Sequence, residues 1–420
     1  MDSTLIIDNG SNTVKMGYAS DENPLIVQNC ICRSRDRKLH LANELNRLTD
    51  VSQLIIRRPL EQGQLTSWYL QKLIWDEGFN ELVNGHNDIN FNETELLYTE
   101  TPFSFPVLSS NTDQIVFEEY GFKSYYRTTN AALVPWNNDV PNNDYIPFQL
   151  VVDSGFECTW VIPVINGCVY WKGVKKMSIG GKFLTGYLKE LISFRYYNVM
   201  DETILVNNIK EKTSYVATDY DQSLKKVSQL RSLVKDPIRR HDFDAQNKSM
   251  GNVVLDYVLP DFKTTTTGYV LQDTTAKLDS DVQLLRLYDE RFAVPETFFY
   301  PELANINNKS GIIKTILESL ANCPKLARPL LMANIKCVGG NFDIPGFKHR
   351  LFMELRKEIP ETYVLKLDDE DDKNKSLTYS WKSGQIFVKK GGFDKVKISK
   401  QEYFEKGLNY LQERCSFKAY

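Results

Sequence analysis

Ile6-Ile7-Asp8-Asn9-Gly10-Ser11 is an apolar run that stops at an aspartate and a glycine-containing turn, and the pattern returns at Val151-Val152-Asp153-Ser154-Gly155. In each, a hydrophobic strand ends where a carboxylate and bare backbone N–H groups face whatever lies beyond. Two such turns, drawn from distant parts of the chain, can grip a magnesium-bound phosphate chain from both sides. A third stretch, Gly339-Gly340-Asn341-Phe342-Asp343-Ile344-Pro345-Gly346, offers a Gly-Gly turn on whose bare backbone an adenine can rest. One Asp-Asn-Gly alone carries little weight, because such turns close many hairpins.

Further segments fall in a fixed order around these three. Arg58-Pro59-Leu60-Glu61-Gln62-Gly63-Gln64-Leu65-Thr66-Ser67-Trp68 comes first, then Leu97-Tyr98-Thr99-Glu100-Thr101-Pro102 and Phe117-Glu118-Glu119-Tyr120. Ile209-Lys210-Glu211-Lys212, Tyr215-Val216-Ala217, Leu259-Pro260-Asp261, Glu290-Arg291-Phe292 and Ile398-Ser399-Lys400-Gln401-Glu402-Tyr403 follow. The ordered set resembles the actin superfamily from Leu5 to about Gly407. The resemblance implies an α/β chain with the actin-like ATPase fold, two similar lobes of four subdomains around a central nucleotide cleft. It divides the chain into a first lobe, residues 1–136 and 379–420, and a second lobe, residues 147–378, with a small inserted subdomain at about 33–57.

Periodicity supports the same class independently. Alternating apolar residues predict strands at 4–7, 13–18, 97–100, 149–153, 158–164 and 334–338. Leu184, Leu188, Leu191 and Ile192 share one helical face, and Phe347, Leu351, Leu355 and Ile359 share another. Strands alternating with such helices define an α/β chain. Residues 137–146 and the polar stretch 235–251 read as loops inserted relative to the family, and Asp368-Asp369-Glu370-Asp371-Asp372 reads either as a solvated acidic turn or as a contact for a basic partner such as a histone surface.

At 420 residues there is room for two lobes with separate cores, and 42% hydrophobic with 25% charged residues is an ordinary globular mixture. A net charge of −3, with basic runs no longer than Arg57-Arg58, Lys175-Lys176, Arg239-Arg240 and Lys389-Lys390, argues against a free-standing nucleic-acid binder. The first residues enter a strand with no signal-peptide pattern, and no apolar run reaches the ~18 residues of a membrane helix, so no membrane role is expected. Cys158, Cys168 and Cys337 sit in apolar strand sequence, while Cys30 and Cys32 are too close for zinc-ligand spacing. The four histidines form no cluster, so no protein-enclosed metal is expected and the compartment reads as reducing.

The family resemblance carries specific site residues. Asp8, Gly10, Ser11 and Lys15 match the first phosphate turn, whose aspartate holds magnesium through water. Asn12 stands where the family has glycine, and asparagine tolerates left-handed backbone better than most residues. Asp153 and Gly155 match the second turn, but Phe156-Glu157 replaces its Asp-Gly. Losing a left-handed glycine there is expected to cost about 1–2 kcal/mol and to set a carboxylate where phosphate would lie. Lys210 and Glu211 match adenosine-contacting positions, as do Gly339 and Gly340, whereas Asp343 replaces an apolar support for the base. Asn130 takes the place of the water-orienting glutamine, and Trp160 that of a nearby histidine; an indole cannot accept a proton. The resemblance therefore implies two alternatives, ATP or ADP with magnesium bound without turnover or a degenerate cleft retained for folding, and no catalytic residue is assigned.

Residues 33–51 lack the family's polymer-forming loop, and Leu41, Leu45 and Leu48 predict a short amphipathic helix instead, so no self-polymer is expected. The runs from Gly155 to Val164 and from Leu191 to Thr203 are similar to one nuclear branch of the actin-related proteins. That branch implies a noncatalytic structural and interaction subunit of an SWR-type chromatin-remodelling complex, which exchanges a variant histone into nucleosomes. Its implied partners are the insert of the remodeller ATPase and a zinc-finger (HIT-type) subunit, with nucleosome contact inside the complex and residence in the nucleus beside a cytoplasmic pool. Two other functions share this fold: an ATPase or phosphotransfer enzyme, kept open by Asp8 and Asp153, and a filament-forming actin.

Overall fold

The computed structural model describes residues 3–83, 89–138, 145–236, 239–262, 265–271, 282–306, 309–367 and 375–415. Thr4–Asn9, buried on both faces, lies inside a six-stranded sheet, which explains its unbroken apolar run. It turns back antiparallel into Thr13–Tyr18, which pairs with Leu25–Gln28, and on its other side runs parallel to Glu95–Glu100. Ser124–Thr129 and the edge strand Ile398–Ser399 complete this sheet.

A five-stranded sheet repeats the opening plan. Phe148–Ser154 turns back antiparallel into Thr159–Ile165 and runs parallel to Ile335–Val338 on its other flank. Cys168–Val169 and Lys175–Met177 both pair with Thr159–Ile165. In each sheet, then, an aspartate ends the leading strand of a hairpin beside a parallel neighbour. The six strands expected from alternation are all present.

The expected helices are Gly181–Arg195 and Phe347–Glu358. Leu184, Leu188 and Ile192 join Phe347, Leu351, Leu355 and Ile359 in the core beside the second sheet, and Leu191 packs against it. A separate core around Trp75, Phe117 and Tyr125 supports the first sheet. The chain passes between the sheets at two helices. Asn130–Leu133 supplies Ala131, which packs with Val151 and Val338. In Lys375–Lys389, the Trp381 indole donates to the Ile6 carbonyl at 3.2 Å, while Tyr379 lies 4.1 Å under the Lys336 ammonium. This second helix runs through position 379.

Ile31–Arg33, Leu39–Leu41 and Ile55–Arg57 form a small antiparallel sheet. The amphipathic helix expected near Leu41, Leu45 and Leu48 is a single 3-10 segment, Ala42–Arg47, with those leucines only half-buried and Ala42 buried. Two expectations need correction. The stretch 235–251 is not simply a loop: Phe243–Ser249 is helical because Phe243 has Leu230, Leu233 and Val254 to pack against. Cys168 is exposed, on a two-residue edge strand. The acidic run 368–372 and residues 139–144 lie outside the described residues.

Candidate functional site

Strand register builds the first turn. Asp8 faces Lys15 across the antiparallel ladder and Thr99 across the parallel one. Thr99 Oγ1 donates to Asp8 Oδ1 at 2.7 Å, and Lys15 Nζ lies 3.6 Å from Oδ2, all three residues being buried. The Gly10 N–H closes on the Asp8 carbonyl at 3.1 Å. A Cβ at Gly10 would stand 2.7 Å from the Thr13 carbonyl, a contact real side chains do not make. Asn12 is not left-handed, so the expected need for asparagine's tolerance does not arise. Its role is a contact: Oδ1 accepts from Arg58 Nη2 at 2.9 Å, and its carbonyl accepts from the Asn29 N–H at 2.8 Å. Ser11 contributes its carbonyl to Arg58 Nη1 at 3.1 Å.

In the second turn, Asp153 Oδ2 accepts from Asn130 Nδ2 at 2.7 Å. Desolvation pushes the Asp153 carboxyl up to about 6; the Asn130 bond and Lys15 pull it down, and the Asp8 charge pushes it up. Burial sets the direction, and the neighbouring Asp8 and Lys15 charges only adjust it. Asn341 Nδ2 reaches Ser154 Oγ at 3.0 Å and the Gly155 carbonyl at 2.7 Å, so the Gly-Gly segment is stitched to this turn. The Gly155 N–H donates to the Cys158 carbonyl at 3.0 Å. Neither Phe156 nor Glu157 has a positive φ, so the expected strain of a lost left-handed glycine is absent. The Glu157 charge is also accounted for, since Oε1 pairs with Lys182 Nζ at 2.9 Å.

Toward the base position, Gly339 has φ +96°, and a Cβ there would lie 2.3 Å from the Ser154 carbonyl. A Cβ at Gly340 would meet only Leu377, at 3.6 Å. Lys210 is buried, and Nζ donates to the Gly181 carbonyl at 3.2 Å, Thr185 Oγ1 at 3.0 Å and Asn207 Oδ1 at 2.8 Å. Desolvation lowers it to about 8. Glu211 accepts from Asn207 Nδ2 at 2.8 Å on the exposed rim. Asp343 is partly buried, and burial raises its carboxyl while Ser376 and Lys348 oppose that.

Asp8, Gly10, Ser11, Asn12 and Lys15 thus gather at the first turn, with Asp153 close enough to feel the Asp8 and Lys15 charges. Gly339 packs against Ser154 and Asp153, while Asn341 and Lys210 both lie against Gly181. Sequence reasoning missed Arg58, Thr99 and Asn341 as side chains, although each stood inside a quoted segment. Among the described residues, no group of three or more His, Cys, Asp or Glu is arranged to hold a metal. Asp8 and Asp153 are the carboxylates of the two matching turns, and hard oxygen donors of this kind suit magnesium because that ion keeps most of its waters. The Asn130 amide is committed to Asp153, its Oδ1 to the Ala131 N–H at 2.7 Å, and Trp160 is a buried indole.

Two hairpin sheets, each presenting an aspartate to a shared cleft, define the actin-type fold, and the chain, matching the actin family over residues 1–416, belongs to it. Its similarity is most detailed to one set of relatives. It is 42% identical to the Actin-like protein ARP6 of Kluyveromyces lactis, over 97% of this chain and 96% of that one. It is 41% identical to the Actin-like protein ARP6 of Debaryomyces hansenii, over 98% of each chain, and 41% identical to that of Candida glabrata, over 99% of each.

Proposed function

We propose that this chain is a noncatalytic structural and interaction subunit of an SWR-type chromatin-remodelling complex that exchanges a variant histone into nucleosomes. The observation that carries the noncatalytic reading is the Asn130–Asp153 bond at 2.7 Å beside the Trp160 indole. Attacking water must be held in line with phosphorus, and a misplacement of ~1 Å costs ~100-fold. Here the shortened amide turns to a carboxylate, and its neighbour is an apolar ring. Near-full-length identity to proteins carrying the name ARP6 supports the assignment to that branch.

In this reading the partners are the insert of the remodeller ATPase and a HIT-type zinc-finger subunit, with nucleosome contact inside the assembly. The protein works in the nucleus with a cytoplasmic pool, and no helix among the described residues is long and apolar enough to cross a membrane. The lobes would be residues 1–136 with 379–420, and 147–378. ATP or ADP would lie between them, with Asp8 and Asp153 holding magnesium through water; bound magnesium would neutralise phosphate charge. The three strands of the small sheet pair with one another, and in this reading the chain does not build filaments.

Affinity purification of the tagged chain from nuclear extract tests the assignment. Recovery of a remodeller ATPase and a zinc-finger protein is expected, and recovery without remodeller subunits would overturn it. The competing enzyme reading rests on the same Asp8–Asp153 pair. Steady-state phosphate release that disappears in Asp153→Ala would establish it.

A further inference from the structure

We propose that Arg58 and Phe156 form a built-in clasp that ties the two hairpins carrying Asp8 and Asp153 together. Arg58 follows directly on the last strand of the small sheet, Ile55–Arg57. The edge of its guanidinium belongs to the first turn. Nη1 donates to the carbonyls of Ser11, Asn12 and Asn29 at 3.1, 3.2 and 3.3 Å, and Nη2 to Asn12 Oδ1 at 2.9 Å. Its face belongs to the second turn, where the guanidinium carbon lies 4.6 Å from the centre of the Phe156 ring. Phe156 is itself anchored, because its carbonyl accepts from the Lys182 N–H at 2.8 Å at the start of Gly181–Arg195.

Only a planar cation can use both directions at once: hydrogen bonds run in the guanidinium plane, and the aromatic face is met perpendicular to it. A carboxylate at position 156 would compete with the carbonyls for the same N–H groups. A phenyl ring attracts the cation and leaves those bonds intact. Two further residues make contacts along the same seam. Lys176 Nζ donates to the Gln62 carbonyl at 3.1 Å and lies 5.2 Å over the Trp160 ring. Phe103, from the first-sheet side, meets Trp171 at 5.1 Å and Trp160 at 6.2 Å. Arg58 is the one of these that touches the turn beside Asp8, so the clasp sets the spacing of the two turns.

Hydrogen exchange on the purified full-length chain, without nucleotide, tests this. Arg58→Ala and Phe156→Leu should each speed amide exchange in residues 153–160 by about fivefold, the scale of one exposed-to-buried cation–aromatic contact. The double variant should exchange no faster than the quicker single one, since both remove one interaction. Arg58→Lys keeps the charge and loses the plane; it should loosen residues 153–160 as Phe156→Leu does, and it decides the matter where Arg58→Ala does not fold. Unchanged exchange in Arg58→Lys and Phe156→Leu, or multiplicative effects in the double variant, would overturn the clasp.

Discussion

Lys15 and Trp160 occupy the same place in two matching hairpins: Lys15 lies directly across the ladder from Asp8, and Trp160 directly across from Asp153. One hairpin gives its aspartate an ammonium partner at 3.6 Å; the other gives its aspartate the opposite register position filled by an indole. Asp153 therefore turns to Asn130 for its hydrogen bond, and the group that could have positioned water is spent on it. Phosphate release from Mg-ATP by the purified chain is expected to equal that of Asp153→Ala. Turnover above that control would show that some other residue activates water. Restoring acceptors with Asn130→Gln and Trp160→His together is the complementary experiment, since general-base assistance is worth about 10²–10⁴-fold where the geometry allows it.

The raised Asp153 carboxyl makes a signed prediction about pH. Its folded value, about 6, lies above the ordinary 3.8. The folded state therefore binds this proton more tightly than the unfolded chain does. Its favourable contribution is complete below 3.8 and is lost as pH rises through about 6. Two units correspond to about 3 kcal/mol at neutral pH as an upper figure. Asp153→Asn should raise the melting temperature of the ligand-free protein at pH 8, and the gain should shrink at pH 5. An equal gain at both values would mean that Asp153 is ionised throughout. Magnesium should narrow the gap at pH 8, because it stabilises the carboxylate that the variant lacks.

The strands that carry this site were legible because they are buried on both faces. Ile6-Ile7 and Val151-Val152 announce themselves by apolarity, and the glycines by what a Cβ would strike. The presence of Asn130 and Trp160 at these positions was legible too, because it is read from residue type alone. What sequence could not supply was pairing. Asn12 and Glu157 seemed to threaten the turns, yet Arg58 and Lys182 engage them, and neither partner is near in sequence. The helix at Phe243–Ser249 was hidden for a similar reason: one aromatic anchor in a polar stretch has meaning only once its pocket is known.

Gly339 and Gly340 look alike in sequence and differ sharply in space. A methyl group on Gly339 would meet the Ser154 carbonyl at 2.3 Å with φ at +96°, whereas one on Gly340 finds only Leu377 at 3.6 Å. Gly339→Ala should destabilise the protein by more than about 2 kcal/mol through left-handed strain and the backbone clash together. Gly340→Ala should stay within about 0.5 kcal/mol. Denaturant unfolding of the two variants checks the pair. Equal effects would mean that the Gly339 turn can move away from the Asp153 strand.

Lys210 presents the opposite case, a buried ammonium satisfied entirely by neutral acceptors at Gly181, Thr185 and Asn207. Lys210→Ala should cost about 2–4 kcal/mol, from the cavity together with acceptors left unpaired. The pH sign follows from the lowering to about 8 from 10.5. Burial penalises the charged form, so the penalty is in force below about 8 and is relieved as pH rises toward 10.5. The stability difference between the parent and Lys210→Met should therefore shift in favour of the parent between pH 7 and 9.5, read by thermal unfolding. A flat difference would place the ammonium in contact with solvent.

The two ligand roles can be ranked in one thermal-shift experiment. A nucleotide binding only the folded chain stabilises it by RT ln(1 + [L]/Kd), about 2.7 kcal/mol at a hundredfold excess over Kd. In the proposed site Asp8, Gly10 and Asp153 would face magnesium and phosphate, but the Gly155 N–H is spent on Cys158, and the Lys210 ammonium is committed to the protein. Mg-ATP should therefore shift the melting temperature modestly or not at all. A protein partner has more to gain, because Phe105, Val107, Phe194 and Leu326 are 64%, 71%, 88% and 89% exposed. Covering such surface contributes about 25 cal/mol per Å² before the cost of association. A HIT-type zinc-finger subunit should thus raise the melting temperature clearly, and more than saturating Mg-ATP does. The reverse order, a large shift with nucleotide beside a negligible one with the zinc-finger chain, would make ligand binding in the cleft the primary role and assembly the secondary one.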